Sequence, residues 1–166
     1  IARKFNNQYG KVFPEPEPLL TRFARLPGLD GNTKMSKSLG NTILLSDEPE
    51  IVKTKLKKAV TDPQKVRRND PGRPEICLIF SYHKKFNTKE VPEIEAGCRS
   101  GELGCVDCKM NCASKLSEFL EPIIDKRKYF ENNPNEVKDI LNDGEIKGRA
   151  AAQETMQSVR EAMKFG

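Results

Sequence analysis

Leu29-Asp30-Gly31-Asn32-Thr33-Lys34-Met35-Ser36-Lys37-Ser38-Leu39-Gly40-Asn41 sets two lysines three residues apart, interleaves two serines and places a glycine on either side. Glycine lets a loop approach a ligand closely and take backbone angles that other residues avoid. Unpaired backbone N–H groups in such a loop form an anion-binding concavity, to which lysine ammoniums add mobile positive charge. This composition suits the stabilisation of charge developing on a polyphosphate during phosphoryl or nucleotidyl transfer. Lysine-bearing Gly/Ser loops also occur as plain solvated surface, so the chain on either side decides between the two.

Upstream, Leu20, Arg22, Ala24 and Leu26 alternate, which predicts a short strand over 19–26, closed by Pro27-Gly28. Pro14-Glu15-Pro16-Glu17-Pro18 breaks any helix and gives an extended connector. Ile1, Phe5 and Tyr9 fall at helical spacing and predict a helix over 1–9, stopped by Gly10. The chain opens as if inside a helix, with no initiator Met and no signal-peptide apolar core. It is therefore expected to be a piece of a longer protein.

Downstream, Ser46 is the expected N-cap of a helix with Asp47 and Glu48 in its first turn and Ile51, Lys55, Leu56, Ala59 and Val60 along it. Thr61 to Pro74 reads as a loop carrying Lys65, Arg67 and Arg68, long enough to suggest a functional or interfacial role. Pro74 predicts the first turn of a helix with Ile76, Ile79 and Phe80, and Asn87-Thr88 caps a short helix ending near Gly97. His83 lacks a catalytic or metal spacing and reads as an ordinary surface histidine. From Cys105 the pattern is helical: Leu116, Phe119, Leu120, Ile123 and Ile124 form a stripe that Pro122 is expected to bend or interrupt. Asn133-Pro134 starts a new helix, Asn142-Asp143-Gly144 breaks it, and a last helix over about 144–164 puts Ala152, Met156, Val159 and Met163 on a core-facing side. After residue 46 the chain reads as almost wholly α.

Hydrophobic residues make up 36% and charged residues 32% of the 166, a polar globular balance. No apolar run approaches the roughly 20 residues that span a bilayer, so no membrane partner is expected. The net charge of +5 is compatible with a polyanionic partner without establishing one. Cytoplasm is the default compartment.

Four of the five cysteines fall within residues 98–112, as Cys98-x6-Cys105-x2-Cys108 followed by Cys112, with Cys77 upstream. In a chain without secretory features such a cluster points to metal ligation rather than disulfides. A 4Fe–4S cluster or a structural Zn²⁺ each takes four thiolates. Spacing alone leaves two sets open, Cys77 with Cys98, Cys105 and Cys108, or Cys98, Cys105, Cys108 and Cys112. It also leaves the metal open, and inert buried thiols are the alternative to both.

Lys34-Met35-Ser36-Lys37-Ser38 matches the KMSKS signature of class I aminoacyl-tRNA synthetases without a substitution. Leu26-Pro27-Gly28-Leu29-Asp30-Gly31, Leu39-Gly40-Asn41-Thr42-Ile43, Asp62-Pro63 and Gly104-Cys105-Val106-Asp107-Cys108-Lys109 extend the likeness. So do Leu120-Glu121-Pro122-Ile123 and Gly148-Arg149-Ala150-Ala151-Ala152. Over essentially its whole length the chain resembles the C-terminal half of the bacterial tryptophanyl-tRNA synthetases. The resemblance implies a mostly α fold: residues 1–45 as a short remnant of a Rossmann-type catalytic domain with the KMSKS loop, and 46–166 as an all-α anticodon-binding domain.

The family activates tryptophan with ATP and transfers it to tRNA-Trp. The resemblance implies that Lys34 and Lys37 are catalytic, stabilising the triphosphate and departing pyrophosphate with Mg²⁺. Met35, Ser36 and Ser38 would complete the ATP-binding loop. It further implies a 4Fe–4S cluster on Cys77, Cys98, Cys105 and Cys108, with Cys112 left over; the gap after Cys77 is slightly shorter than the family's. Lys65, Arg67, Arg68, Lys84, Lys85 and Arg99 are tRNA-binding candidates by charge and proximity to the cysteines. The family's HIGH-type motif does not occur in these residues. The tryptophan pocket and homodimer interface belong to the family's other half, so this chain by itself is expected to be inactive. The competing readings are a non-catalytic Fe–S or zinc RNA-binding module derived from a synthetase, and a stand-alone helical interaction domain with inert cysteines.

Overall fold

The computed structural model describes residues 1–21, 25–31 and 34–165. Among these run six α-helices: α1 (Ala2–Tyr9), α2 (Pro49–Lys58), α3 (Leu78–Phe86), α4 (Val91–Ser100), α5 (Cys105–Asn132) and α6 (Pro134–Ala162). Short 3-10 turns form at Lys37–Leu39 and Pro74–Ile76. The mostly α class expected from the sequence is the class observed. The chain divides into two compact units, Ile1–Thr21 with Tyr129–Gly166, and Arg22–Lys128.

The unit Arg22–Lys128 holds the core. α2 starts with proline at a position whose N–H needs no partner, carries Glu50 in its first turn and gathers Lys55, Lys57 and Lys58 in its last, matching the helix dipole at both ends. Val52 and Leu56, one turn apart, are wholly buried. α5 presents Cys112, Ala113, Leu116, Leu120 and Ile124 along one stripe, and α3 adds Leu78, Ile79 and Tyr82. Leu29 joins this core directly, and Leu26, Met35 and Ile43 pack against it. Each such aliphatic side chain contributes about 1.5–3 kcal/mol when fully buried. The basic loop is therefore tied to the helices that follow it, and this unit runs across the expected division after residue 45.

In the unit Ile1–Thr21 with Tyr129–Gly166, Asn6 organises the turn after α1: its Oδ1 accepts Val12 N at 3.1 Å and Phe13 N at 3.0 Å, and Phe5 meets Phe13 edge-on. α6 runs unbroken through Gly144. A glycine costs a helix only about 1 kcal/mol, and the pair Lys147–Asp143, which spans it, and the pair Arg149–Glu145, just beyond it, support the helix there.

Several local expectations are corrected. The expected strand over 19–26 includes residues 22–24, which lie outside the described residues; 19–21 and 25–26 carry no strand. A strand needs a neighbour, and the pairing at this point is one isolated bridge, Pro27 to Lys34. α2 begins at Pro49 rather than at Ser46, because Asp47 uses its carboxylate on Leu44 N and Lys55 Nζ. Pro74 opens a 3-10 turn before α3, leaving Ile76 54% exposed. Pro122 lies inside a continuous α5, whose Phe119 and Ile123 stay exposed beside the buried stripe. α6 buries none of its residues, so the expected core face of Ala152, Met156 and Val159 is not a core. His83 is fully buried, because it lies on the same side of α3 as Ile79.

Candidate functional site

Three hydrogen bonds tie down the base of the loop. Tyr82, itself wholly buried, donates its hydroxyl to the Pro27 carbonyl at 2.7 Å. Met35 N donates to Leu26 O at 3.2 Å, and Val60 N to Leu29 O at 3.2 Å. Burial pushes the Tyr82 phenol well above its ordinary range, so it remains a donor.

Asn41 closes the loop across its mouth. Its carbonyl accepts Leu29 N at 2.9 Å and its side-chain Oδ1 accepts Ser36 N at 2.8 Å. Its Nδ2 donates to Asp30 Oδ2 at 3.2 Å and lies 3.4 Å from Lys34 O. A Cβ at position 28 would come within 2.1 Å of that Nδ2, so only glycine there lets the amide lie across the backbone. The Ser36 and Ser38 hydroxyls share a hydrogen bond at 2.9 Å at the start of the 3-10 turn. Lys34 and Lys37 are exposed, and among the described residues neither ammonium has an ion-pair partner. Asn32 and Thr33 lie outside the described residues. The result is a braced backbone carrying two uncommitted positive charges, an arrangement that can meet a polyanion without first breaking a salt bridge.

The cysteines form a second feature of the same unit. Cys77 stands at the N-cap of α3, Cys98 in the last turn of α4, and Cys105 and Cys108 in the first turn of α5. All four line one small cavity of about 20 Å³, with Lys65 and Leu103 on its wall. Cys112 does not line it and packs in the core instead. Burial, then the neighbouring thiols, push Cys77, Cys98 and Cys108 above the ordinary thiol range; burial pushes Cys112 up to about 12. Gly72 N holds the Cys98 carbonyl at 2.8 Å.

Asp62 braces the loop that carries Gly72 and leads to Cys77. It accepts Arg73 Nη2 at 2.6 Å, Arg73 Nε at 3.1 Å, Arg73 N at 2.9 Å and Gln64 N at 2.9 Å. Chiefly through the Arg73 side chain, this network holds the Asp62 carboxyl well below the usual carboxylate range. Among the described residues no three His, Cys, Asp or Glu side chains are gathered closely enough for one metal ion. A tetrahedral zinc site needs thiolate sulfurs about 4 Å apart, and neither the zinc nor the iron–sulfur alternative finds direct support in this geometry.

The basic candidates separate. Arg67 and Arg68 line an open cavity of about 270 Å³ at the start of α5, where Arg68 Nη2 meets Asp107 at 3.3 Å. Lys65 is buried, its ammonium donating to the Asp70 carbonyl, so it braces the loop. Lys84 lies over the Phe80 ring, Lys85 donates to Arg25 O at 3.0 Å, and Arg99 is paired with Glu95 at 2.9 Å and Glu75 at 3.1 Å. Of the six, the structure brings only Arg67, Arg68 and Lys65 together.

A family model described as tRNA synthetases class I (W and Y) matches residues 1–121. The chain belongs to this family. It is 53% identical to the tryptophan–tRNA ligase of Aquifex aeolicus, over 99% of this chain and 42% of that protein. It is 44% identical to the tryptophan–tRNA ligase of Deinococcus radiodurans, over 99% of this chain and 51% of that protein. The crystal structure of tryptophanyl-tRNA synthetase from Campylobacter jejuni complexed with ADP and tryptophan superposes with a TM-score of 0.79 at 30% identity. That match covers 99% of this chain and 51% of the other. The chain thus spans about half the length of the relatives it matches.

Within this synthetase chain, sequence reasoning missed Tyr82 and His83 and did not name Asn41 as a site residue. A polar side chain directly after the last loop glycine was the available signal for Asn41. Tyr82 and His83 carry no local signal, since their partners lie 55 and 25 residues away.

Proposed function

We propose that this chain is the C-terminal half of a tryptophan–tRNA ligase, supplying the mobile ATP-phosphate loop and the tRNA-binding helical region of a longer cytoplasmic, homodimeric enzyme. The observation that carries the reading is the pair of exposed ammoniums on a KMSKS loop whose backbone is braced by Asn41 and Tyr82. In the reaction the tryptophan carboxylate attacks the α-phosphorus of MgATP, and pyrophosphate departs with the bond that breaks. Lys34 and Lys37 stabilise the negative charge gathering on the departing phosphates. Mg²⁺ enters with the ATP as part of the substrate. Met35, Ser36 and Ser38 shape the loop around the nucleotide. Residues 1–45 belong to the catalytic domain and 46–166 to the anticodon-binding domain, with Arg67 and Arg68 the foremost contacts to tRNA-Trp and Lys84, Lys85 and Arg99 behind them.

The test is ATP–pyrophosphate exchange. The full-length parent should exchange, Lys34→Ala and Lys37→Ala should each lower kcat by on the order of 100-fold, and this chain alone should not exchange. Exchange by this chain alone, or a parent indifferent to both substitutions, overturns the reading. A non-catalytic RNA-binding module has no use for two uncommitted loop ammoniums.

A second reading concerns the cysteines. The four thiols around one cavity, with Cys112 outside it, favour a 4Fe–4S cluster on Cys77, Cys98, Cys105 and Cys108. When bound, the cluster supplies a cross-link among α3, α4 and α5. Iron and acid-labile sulfide in protein purified without oxygen test this; five freely titrating thiols and neither element would sink it.

A further inference from the structure

His83 is the chain's one histidine, and its ring is closed off from solvent. Its Nε2 faces one residue twice: the Cys108 carbonyl oxygen at 3.2 Å and the Cys108 Sγ at 3.4 Å. Its Nδ1 faces Asn87 Nδ2 at 3.2 Å. Which ring nitrogen carries the proton is decided two residues further out.

Glu90 Oε2 lies 2.7 Å from Asn111 Nδ2 and 3.1 Å from Asn87 Nδ2, and Lys115 Nζ stands 3.5 Å from its other oxygen. An ionised carboxylate can only accept hydrogen bonds, so both amides must turn their N–H groups toward it. The hydrogen bonds from Asn111, then Asn87, hold Glu90 below its ordinary range and keep it ionised. Asn111 Oδ1 then meets Asn87 Nδ2 at 3.1 Å, which fixes the orientation of Asn87 a second time. Asn87 Nδ2 has two hydrogens for three acceptors, Glu90 Oε2, Asn111 Oδ1 and His83 Nδ1, so one hydrogen is shared; a protonated Nδ1 would meet those hydrogens head-on, and Nδ1 therefore keeps its lone pair. The ring proton is left on Nε2, facing Cys108.

We propose that His83 is a positioning residue of the cysteine site: the Glu90–Asn111–Asn87 network fixes its Nε2–H tautomer, and that N–H donates to Cys108 Sγ. The consequence rests on the cluster reading above. A hydrogen bond to a ligand sulfur stabilises negative charge there, and the reduced cluster carries more of it, so the bond raises the reduction potential. In sequence this role is invisible, because the network joins residues 83, 87, 90, 108 and 111 across two helices and a turn.

The test has a metal-free arm and a cluster-loaded arm, both on the 166-residue chain. In the metal-free protein, long-range ¹H–¹⁵N correlation of the single histidine should show the Nε2–H tautomer alone. Glu90→Gln, whose amide can also donate, should mix the tautomers. An Nδ1–H ring, or a wild-type ring already mixed, overturns the proposal whether or not a cluster forms. In the loaded protein, His83→Leu should shift the reduction potential to more negative values, and His83→Gln, which restores an N–H donor, should return it toward wild type. Equal potentials in all three proteins overturn the proposal. A wild-type chain that takes up no iron and sulfide overturns the cluster reading alone, and the tautomer then decides the assignment of His83.

Discussion

Replacing Tyr82 by phenylalanine removes one oxygen atom and leaves the ring in place, so it isolates the bond between the helical core and the base of the loop. The hydroxyl donates to Pro27 O at 2.7 Å from a side chain with no solvent exposure. A hydrogen bond of this kind contributes about 0.5–1.5 kcal/mol net, and a carbonyl left wholly unsatisfied costs up to about 3 kcal/mol. Pro27 is only half-buried, so water can reach its carbonyl once the phenol is gone and the larger penalty does not apply. The expected loss is about 1–1.5 kcal/mol. With a urea m-value of roughly 1–3 kcal/mol/M this lowers the unfolding midpoint by about 0.3–1.5 M at unchanged m. Far-UV circular dichroism reads the midpoint, and hydrogen exchange locates the damage. Leu29 and Met35, whose amides are bonded at the base of the loop, should lose protection before Leu56 does. An unchanged midpoint, or loss of protection spread evenly over the core, refutes the reasoning.

Asn41→Ala removes the acceptor of Ser36 N and the donor to Asp30 together. In the full-length enzyme it should lower kcat/KM for ATP roughly tenfold, the equivalent of about 1.4 kcal/mol, while leaving the KM for tryptophan alone; equal losses for both substrates would speak against a loop effect. Asp62 is depressed in the folded chain relative to an unfolded value of about 3.9, so its contribution is complete above that pH and lost as pH falls through the folded value. Asp62→Asn should lower stability at neutral pH and flatten the decline below about pH 4, measured by urea midpoints across an acid series; an acid limb of unchanged slope would rule Asp62 out as its source.

Helices announced themselves where one face had to be apolar. The Leu116–Leu120–Ile124 stripe and the Val52–Leu56 pair are read from spacing alone, and the loop from Lys34-Met35-Ser36-Lys37-Ser38 as a string. The misreadings depended on partners that spacing does not show, some distant in sequence and some brought close by a local turn. His83 looks polar and isolated until α5 brings Cys108 to it, and Lys65 looks like a free cation until its loop folds back to offer the Asp70 carbonyl. Of the strand expected over 19–26, residues 19–21 and 25–26 carry none, since alternation promises a strand only where a neighbour exists to pair with it. Spacing could not choose between Cys77 and Cys112; in the fold Cys77 lines the cavity with Cys98, Cys105 and Cys108, and Cys112 packs in the core.

Tyr82 and His83 are adjacent on α3, and their side chains leave the helix about 100° apart. One reaches Pro27 and the other Cys108. The KMSKS loop and the cysteine cavity therefore hang from neighbouring pegs on a single axle. A turn of that axle by even part of a helical step would be felt at both ends, so drift in α3 cannot retune one site while sparing the other. A two-residue stretch that looks unremarkable as letters is where the tolerance of two regions to change is jointly set.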